Sequence, residues 1–222
     1  MIRIITIPEV PIAYVVCRNV ETSEHHVGLL FEVRRIVSMV ISSTDLESLN
    51  NDPILSKYKS FAGFRRGSSE LDTYPEVLIR RVLFGGGLPR RNPIIDISNA
   101  VSMLTKIPMT PIDVDRAGQV LKITRILKRE SVSDLDERSV VLPRGTIVLV
   151  DSQGRVIYVY PYKLTNVAPA NTKTRNVAFI GYGAPGVPLP LISSSVRILI
   201  NYVANNVRGV ECGEIELSTS SR

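Results

Sequence analysis

Two groups of polar residues, close together in the chain, have types and spacing that suggest a functional site. Asp96 is followed by Ser98 and Asn99, just before the apolar stretch 101–104. We predict that Asp96 caps a helix and that Ser98 and Asn99 lie in its first turn. The free N–H groups and the dipole at a helix start favour a carboxylate, a phosphate or a developing oxyanion.

The second group is Thr110, Asp113 and Asp115, which follow Pro108. In an extended stretch, two aspartates at a spacing of two face the same side of a strand. An equally simple interpretation is structural, with Asp96 as a helix cap and the later aspartates fixing a turn. A small-molecule hydrolase with a metal between Asp113 and Asp115 is a further alternative, although two carboxylates without further ligands make a poor cation site.

Positive charge is concentrated upstream of these groups. The chain carries a net charge of +6, and residues 57–91 hold eight basic against three acidic side chains, which accounts for +5 of it. Such a concentration is typical of a surface that binds a polyanion, and interleaved aromatic residues suit unpaired bases. The alternative is that Arg80 and Arg81 form the solvated face of a helix. The predicted RNA-contacting residues are Arg65, Arg66, Arg80, Arg81, Arg90 and Arg91.

Several other function classes find no support in the sequence. The triplet 85–87 is not followed by the Gly-Lys-Ser/Thr of a phosphate-binding P-loop, and the two histidines, His25 and His26, are adjacent and cannot form a helical zinc-ligand pair. No apolar run is long enough to cross a membrane. We therefore expect a cytoplasmic protein that does not associate with a membrane and that binds no metal and no cofactor. Cys17 and Cys212 are predicted to be free thiols, with one bridge between them as the alternative.

The apolar pattern predicts the elements that must position these residues. Helical spacing begins at Val27, a capping box at 44–47 opens a second helix, and another at 73–76 opens a third that ends at the glycines 85–87. A last helix follows the proline-rich loop 185–190. Predicted strands are residues 2–7, 12–17, 120–127, 145–151, 155–160, 176–182 and 211–217. The strands at 145–151 and 155–160 form a hairpin.

Strands and helices do not alternate regularly along the chain. We therefore predict an α+β fold, with a β-sheet or sandwich core of mixed topology flanked by several helices. A single domain over residues 1–222 is the simplest organisation for a chain of this length.

Two motifs resemble one known family. The run 92–101, Asn-Pro-Ile-Ile-Asp-Ile-Ser-Asn-Ala-Val, and the later run 107–115, Ile-Pro-Met-Thr-Pro-Ile-Asp-Val-Asp, are similar to the central tRNA-editing domain of the phenylalanyl-tRNA synthetase beta subunit. That domain also occurs as free-standing proteins. The resemblance covers about residues 60–182, so that the segments 1–59 and 183–222 lie outside it.

The resemblance implies a fold like that editing domain and a trans-editing factor that hydrolyses mischarged aminoacyl-tRNA, with tRNA, and an aminoacyl-tRNA synthetase, as partners. Ser98, Asn99 and Thr110 would act on the ester, and Asn92, Asp96, Met109 and Asp113 would line the substrate pocket. Thr110 stands where that family has a histidine, and residues 163–174 lack its pocket glutamate. The alternative is a non-catalytic RNA- or partner-binding module that kept the editing fold.

Overall fold

The computed structural model describes the backbone of residues 2–62, 65–66, 69–70 and 73–219, and the side chains of residues 2–61 and 73–219. The arginines at positions 65 and 66 therefore have no described side chains. In the described ranges the helices are α1 (Val27–Ser43), α2 (Leu46–Asn50), α3 (Pro53–Ala62), α4 (Tyr74–Leu83), α5 (Pro93–Thr105), α6 (Val114–Ala117) and α7 (Leu189–Asn206).

The described strands fall into two five-stranded groups and two hairpins. They are β1 (Arg3–Ile5), β2 (Ile12–Arg18), β3 (Arg65–Arg66), β4 (Ser69–Glu70), β5 (Met109–Asp113), β6 (Val120–Arg125), β7 (Glu130–Ser133), β8 (Ser139–Leu142), β9 (Ile147–Val150), β10 (Val156–Val159), β11 (Lys163–Leu164), β12 (Val177–Tyr182), β13 (Glu211–Cys212) and β14 (Glu216–Ser218).

The first sheet has the order β1-β6-β9-β10-β11, with β1 parallel to β6 and the remaining pairs antiparallel. The second is antiparallel in the order β13-β2-β12-β5, and β14 also pairs with β2. Strands β3 and β4 form one hairpin, and β7 and β8 form another. The predicted α+β fold with sheets of mixed topology and several helices is confirmed.

The second sheet lies in the middle of the molecule. Helices α5 and α7 pack against it and α1 packs against α5, while Tyr158 of the first sheet stacks on Tyr182 of β12. Every residue of β12 is buried, because the strand is covered on both faces. This arrangement explains why 177–182 is a continuous apolar run rather than an alternating one. A smaller core forms under the β7–β8 hairpin, around Leu142 and Val148.

Most predicted elements are present, but three local predictions are wrong. Asn92, not Asp96, is the N-cap of α5, because its side-chain oxygen accepts the N–H groups of Ile94 and Ile95, so Ser98 and Asn99 lie in the second turn and not in the predicted first turn. Asp113 ends β5 and caps α6, so Asp115 is helical and the two aspartates do not share a strand face. The cap of α2 is Asp45 rather than the predicted residue 44.

Cys17 and Cys212 form a disulfide that joins β2 to β13. The prediction of two free thiols is therefore wrong, and the alternative of one bridge is correct. The bond links residues that are 195 positions apart in sequence and closes nearly the whole chain into one loop. None of the described helices combines the length and the apolar character needed to cross a membrane.

Candidate functional site

A small pocket opens where the middle of α5 meets the start of β5. Its volume is about 110 Å³. Both motifs that the sequence singled out contribute lining residues, Asn99 from α5 and Thr110 from β5. The lining residues are Tyr74, Arg91, Ile95, Asn99, Met109, Thr110, Pro111, Asp134, Leu135, Asp136, Tyr158, Lys163 and Leu164.

Asn99 is held in this pocket by two helices. Asn92 caps α5 and Pro93 occupies its first turn, which fixes the start of the helix and the direction in which position 99 projects. The side chain of Asn99 is 3% exposed, and its Nδ2 donates a hydrogen bond of 3.5 Å to the phenol oxygen of Tyr74. Its carboxamide therefore has a fixed direction inside the cavity.

Thr110 lies at the floor of the pocket and is bound to a pair of stacked tyrosines. Its Oγ1 lies 2.7 Å from the phenol oxygen of Tyr182, and either oxygen can donate. The Tyr182 ring in turn stacks on Tyr158 with centroids 4.6 Å apart. Burial raises the pKa of both phenols, so both remain neutral at physiological pH. The floor is consequently uncharged.

The charged residues of the pocket lie at its mouth and are paired with each other. Arg91 Nη2 lies 2.5 Å from Asp136 Oδ1, and Lys163 Nζ lies 3.1 Å from Asp134 Oδ2. Burial acts to raise the pKa of Asp134, but the hydrogen bonds from Lys163 and from backbone N–H groups outweigh it and hold that pKa below its usual range. The mouth thus presents two ion pairs.

The other residues predicted for the pocket are close to it but have structural partners. Asn92 donates from Nδ2 to the carbonyl of Ala170, besides capping α5. Asp96 is buried and accepts the N–H of Arg91 at 2.9 Å. Asp113 accepts from the hydroxyl of Thr174 at 2.7 Å. Met109 is a lining residue of the pocket.

Ser98 occupies a different environment from its neighbour Asn99. It is completely buried, it is not a lining residue of the pocket, and its Oγ has no hydrogen-bond partner in the described part of the structure. Successive residues of a helix point about 100° apart, so adjacent positions do not share a face. The geometry therefore brings together Asn99 and Thr110 but leaves Ser98 in the core.

The predicted RNA-contacting arginines are largely engaged with acceptors. Arg80 bonds the buried carboxylate of Glu76 at 2.8 Å, and Arg81 Nε donates to the carbonyl of Gly87. Arg90 lies 3.4 Å from Asp96 and is 55% exposed, while Arg91 pairs with Asp136. Arg65 and Arg66 lie outside the described side chains. The Arg90 side chain is more exposed than those of Arg80, at 28%, and Arg91, at 35%, and is therefore better placed than these two for a phosphate.

Sequence reasoning missed three of the four charged residues at the mouth, which are Asp134, Asp136 and Lys163, and the lining residue Leu135. Asp134, Leu135 and Asp136 come from the turn of the β7–β8 hairpin, which the sequence analysis did not predict, and Lys163 comes from β11. The available signal was the charge pattern Asp-Leu-Asp-Glu-Arg between two short β-branched stretches. Tyr158 was predicted as part of a strand, without a role in the site.

The inner part of the pocket carries neutral polar groups, and its two carboxylates are paired with Arg91 and Lys163. No imidazole is among its lining residues, and the floor offers hydroxyl and carboxamide groups. Such groups can orient a water and stabilise a developing oxyanion. In the described portion of the chain, no cluster of three or more His, Cys, Asp and Glu side chains could hold a metal ion.

The part of the chain that carries the pocket matches a known protein family. A family model described as the B3/4 domain matches residues 59–190. A solved N-terminal fragment of the phenylalanyl-tRNA synthetase beta subunit from Pyrococcus horikoshii is 12% identical, with a TM-score of 0.47, over 80% of this chain and 73% of that chain. A search of curated proteins gave no match. The matched family region contains both α5 and β5.

Proposed function

The chain belongs to the B3/4 domain family, which supports a tRNA-related function, and from that premise we propose that it hydrolyses the ester bond of mischarged aminoacyl-tRNA. The observation that carries the proposal is the meeting of Asn99 and Thr110 in one pocket of about 110 Å³ with a charged mouth. The tRNA 3′ end is the partner, and an aminoacyl-tRNA synthetase is a second partner that supplies the mischarged tRNA.

In the proposed reaction the aminoacyl group enters the pocket and the ribose stays at the mouth. Asn99 and Thr110 orient a water toward the ester carbonyl. The water oxygen forms the new C–O bond, the bond to the ribose oxygen breaks, and the proton lost by the water ends on that ribose oxygen. The products are a free amino acid and an uncharged tRNA.

This reaction needs no imidazole base, because an aminoacyl ester is activated and the adjacent ribose hydroxyl can assist proton transfer. The task left to the protein is positioning and oxyanion stabilisation, for which preorganised neutral donors are sufficient. Arg90 and Arg91 are the cations that contact the phosphates of the acceptor end, and the α-ammonium group lies near the carboxylates of Asp134 and Asp136.

A deacylation assay tests the proposal. Purified protein should accelerate the loss of at least one amino acid from charged tRNA, and Asn99→Ala and Thr110→Val should each reduce that acceleration by about 10²-fold, the effect of removing one oriented donor. The matched control is Asn205→Ala, an exposed residue of α7, which should leave the rate unchanged. A complete panel of charged tRNAs without any acceleration would refute hydrolysis.

A second candidate is a module that binds tRNA or a protein partner without catalysis. The observation that favours it is the hydrogen bond between Thr110 and Tyr182, which already engages the hydroxyl at the floor. This candidate predicts tRNA binding that weakens steeply with salt and that is unaffected by Asn99→Ala. Hydrolysis that depends on Asn99 separates the two functions.

A further inference from the structure

Two phenol hydroxyls of the pocket carry protons that no described residue accepts. The Tyr74 oxygen accepts a hydrogen bond from Asn99, but no group in the described ranges accepts the proton of the Tyr74 hydroxyl. Tyr158 is 2% exposed, and its hydroxyl forms no hydrogen bond within the described part of the chain. Thr110 differs from both, because its hydroxyl is already bonded to Tyr182. An inward-facing polar group without a partner is costly and therefore needs an explanation.

Both hydroxyls belong to the wall of the same cavity. Tyr74 and Tyr158 are lining residues of the pocket. In the described structure, the fully buried side-chain oxygens that lack a partner belong to Glu76 and Ser98. The Tyr158 oxygen also lacks a partner but is not one of these, so it is open to the cavity. The pocket thus presents two phenol donors, one of them 3.5 Å from the Asn99 carboxamide.

The backbone holds each ring in place. Tyr74 is the first residue of α4, which Thr73 caps, and its own N–H donates to the carbonyl of Pro161 at 3.2 Å. Tyr158 lies in β10, which pairs with β9 and β11, and its ring stacks on Tyr182. Donors that are fixed in advance on rigid elements need little reorganisation when charge develops beside them.

The two phenols are neutral donors. Burial raises the pKa of Tyr74 by more than the Arg91 charge and the Asn99 hydrogen bond lower it. Burial, and to a lesser extent the neighbouring tyrosines including Tyr74, raise the pKa of Tyr158 well above its ordinary value. Both groups therefore keep their protons at physiological pH. The cations of the pocket are instead paired with carboxylates, so the phenols are donors that are free for a ligand.

We propose that the hydroxyls of Tyr74 and Tyr158 form an oxyanion site that contacts the carbonyl oxygen of the aminoacyl ester. The inference rests on the proposed hydrolysis of aminoacyl-tRNA. As the water oxygen bonds to the carbonyl carbon, an electron pair of the C=O bond moves onto the carbonyl oxygen, to which both O–H groups donate. The C=O bond then re-forms while the bond to the ribose oxygen breaks. The phenols keep their protons throughout, and the proton lost by the water ends on the ribose oxygen.

Phenylalanine substitutions test the site without removing either ring. Tyr74→Phe, Tyr158→Phe and the double variant are compared with wild type on the charged tRNA that the wild type deacylates fastest. We expect kcat to fall at least about tenfold in each single variant, because the other donor remains, and about 10²-fold in the double variant. Affinity for an alanyl adenosine analogue with an amide in place of the ester should stay within about threefold, since that carbonyl develops no charge.

Tyr160→Phe is the matched control. Tyr160 is as buried as Tyr158, its hydroxyl donates to the carbonyl of Gly183, and it is not a lining residue of the pocket. Its loss should lower stability and leave kcat unchanged. Urea unfolding verifies that each variant is folded, and Tyr74→Phe decides the outcome if the core variant Tyr158→Phe is not. An unchanged kcat in a folded Tyr74→Phe protein overturns the inference and leaves the proposed function standing.

A binding arm separates failure of the oxyanion site from failure of the proposed function. Its probe is an adenosine phosphonate ester with the small alanine side chain, whose tetrahedral anionic centre resembles the oxyanion intermediate. Wild type should bind this probe at least about tenfold more tightly than the amide analogue, and Tyr74→Phe should lose most of that preference. If no tRNA is deacylated but the preference depends on Tyr74, hydrolysis falls and the anion-binding site stands. A preference that is absent, or unchanged in Tyr74→Phe, overturns the oxyanion site.

Discussion

The Oγ1 of Thr110 lies 2.7 Å from the phenol oxygen of Tyr182, although the two residues are 72 positions apart in sequence. Thr110 is on β5 and Tyr182 ends β12, and the two strands pair antiparallel. This contact joins the floor of the pocket to the tyrosine pair that links the two sheets. Thr110 therefore belongs both to the candidate site and to the packed core.

Tyr182→Phe should lower stability and activity together. The substitution leaves the ring stacking in place but removes the partner of a buried hydroxyl, and an unsatisfied buried hydroxyl costs about 1–3 kcal/mol. Thr110 would also lose its fixed orientation, so ester hydrolysis should fall about tenfold or more. Urea unfolding and single-turnover deacylation measure the two effects. Tyr202→Phe, at a half-buried tyrosine that bonds Arg35, serves as the control, and equal behaviour of both variants would contradict the assigned role.

Reduction of the disulfide should destabilise the protein. The bond between Cys17 and Cys212 closes a loop across a separation of 195 residues, and long closed loops restrict the unfolded chain most. We expect a loss of about 2–4 kcal/mol, measured by chemical unfolding with and without a phosphine reductant. A Cys17→Ala plus Cys212→Ala variant should show that lower stability and no response to reductant. A wild-type protein that does not respond would contradict the prediction.

Asp96 should make the protein less stable as pH rises. Burial raises the pKa of Asp96 above its ordinary value of 3.8, although the Arg91 N–H and the Arg90 guanidinium favour the ionised form. Its contribution is therefore greatest below the unfolded pKa and is lost as pH rises through the folded pKa. Relative to Asp96→Asn, which stays neutral, the wild type should lose stability from about pH 4 upward.

Asp134 supplies a control of opposite sign. Burial opposes its ionisation, but hydrogen bonds from Lys163 and from backbone N–H groups outweigh burial and hold its pKa below 3.8. The stability that it contributes is present above the unfolded pKa and is lost as pH falls through the folded pKa. The difference between wild type and Asp134→Asn should shrink on acidification below about pH 4. Parallel pH profiles for the two variants would contradict both assignments.

Helices and strands that carry a local sequence signal were predictable from the sequence. The candidate site was predictable only in part. The pairing of Thr73 with Glu76, and the continuous apolar run 177–182, mark α4 and β12 because capping and burial leave local signals. Asn99 and Thr110 were found because they stand in two motifs with special residue types. The wall from Asp134 to Asp136 was not found, because its role depends on a non-local contact.

The wrong cap of α5 has a local explanation. Asn92 and Asp96 are both residue types that cap helices, and Pro93 directly after Asn92 marks the true start. Asp96 was favoured because apolar residues follow it. In the structure it instead accepts the N–H of Arg91 and so orders the loop before the helix. The preference for capping residues allowed both assignments, and Pro93 in the first turn distinguishes between them.

Arg90→Gln plus Arg91→Gln should weaken tRNA binding and reduce its dependence on salt. Each arginine that neutralises a phosphate releases counterions, so removing two should reduce the slope of log K against log salt by about 1.4–1.8. The reduction will be smaller if the pairing of Arg91 with Asp136 and of Arg90 with Asp96 persists in the complex. Filter binding across a salt series measures the slope, and Arg197→Gln, an exposed arginine of α7, is the control. A slope that is unchanged in the double variant would place the phosphate contacts elsewhere on the surface, because neither arginine would then neutralise a phosphate.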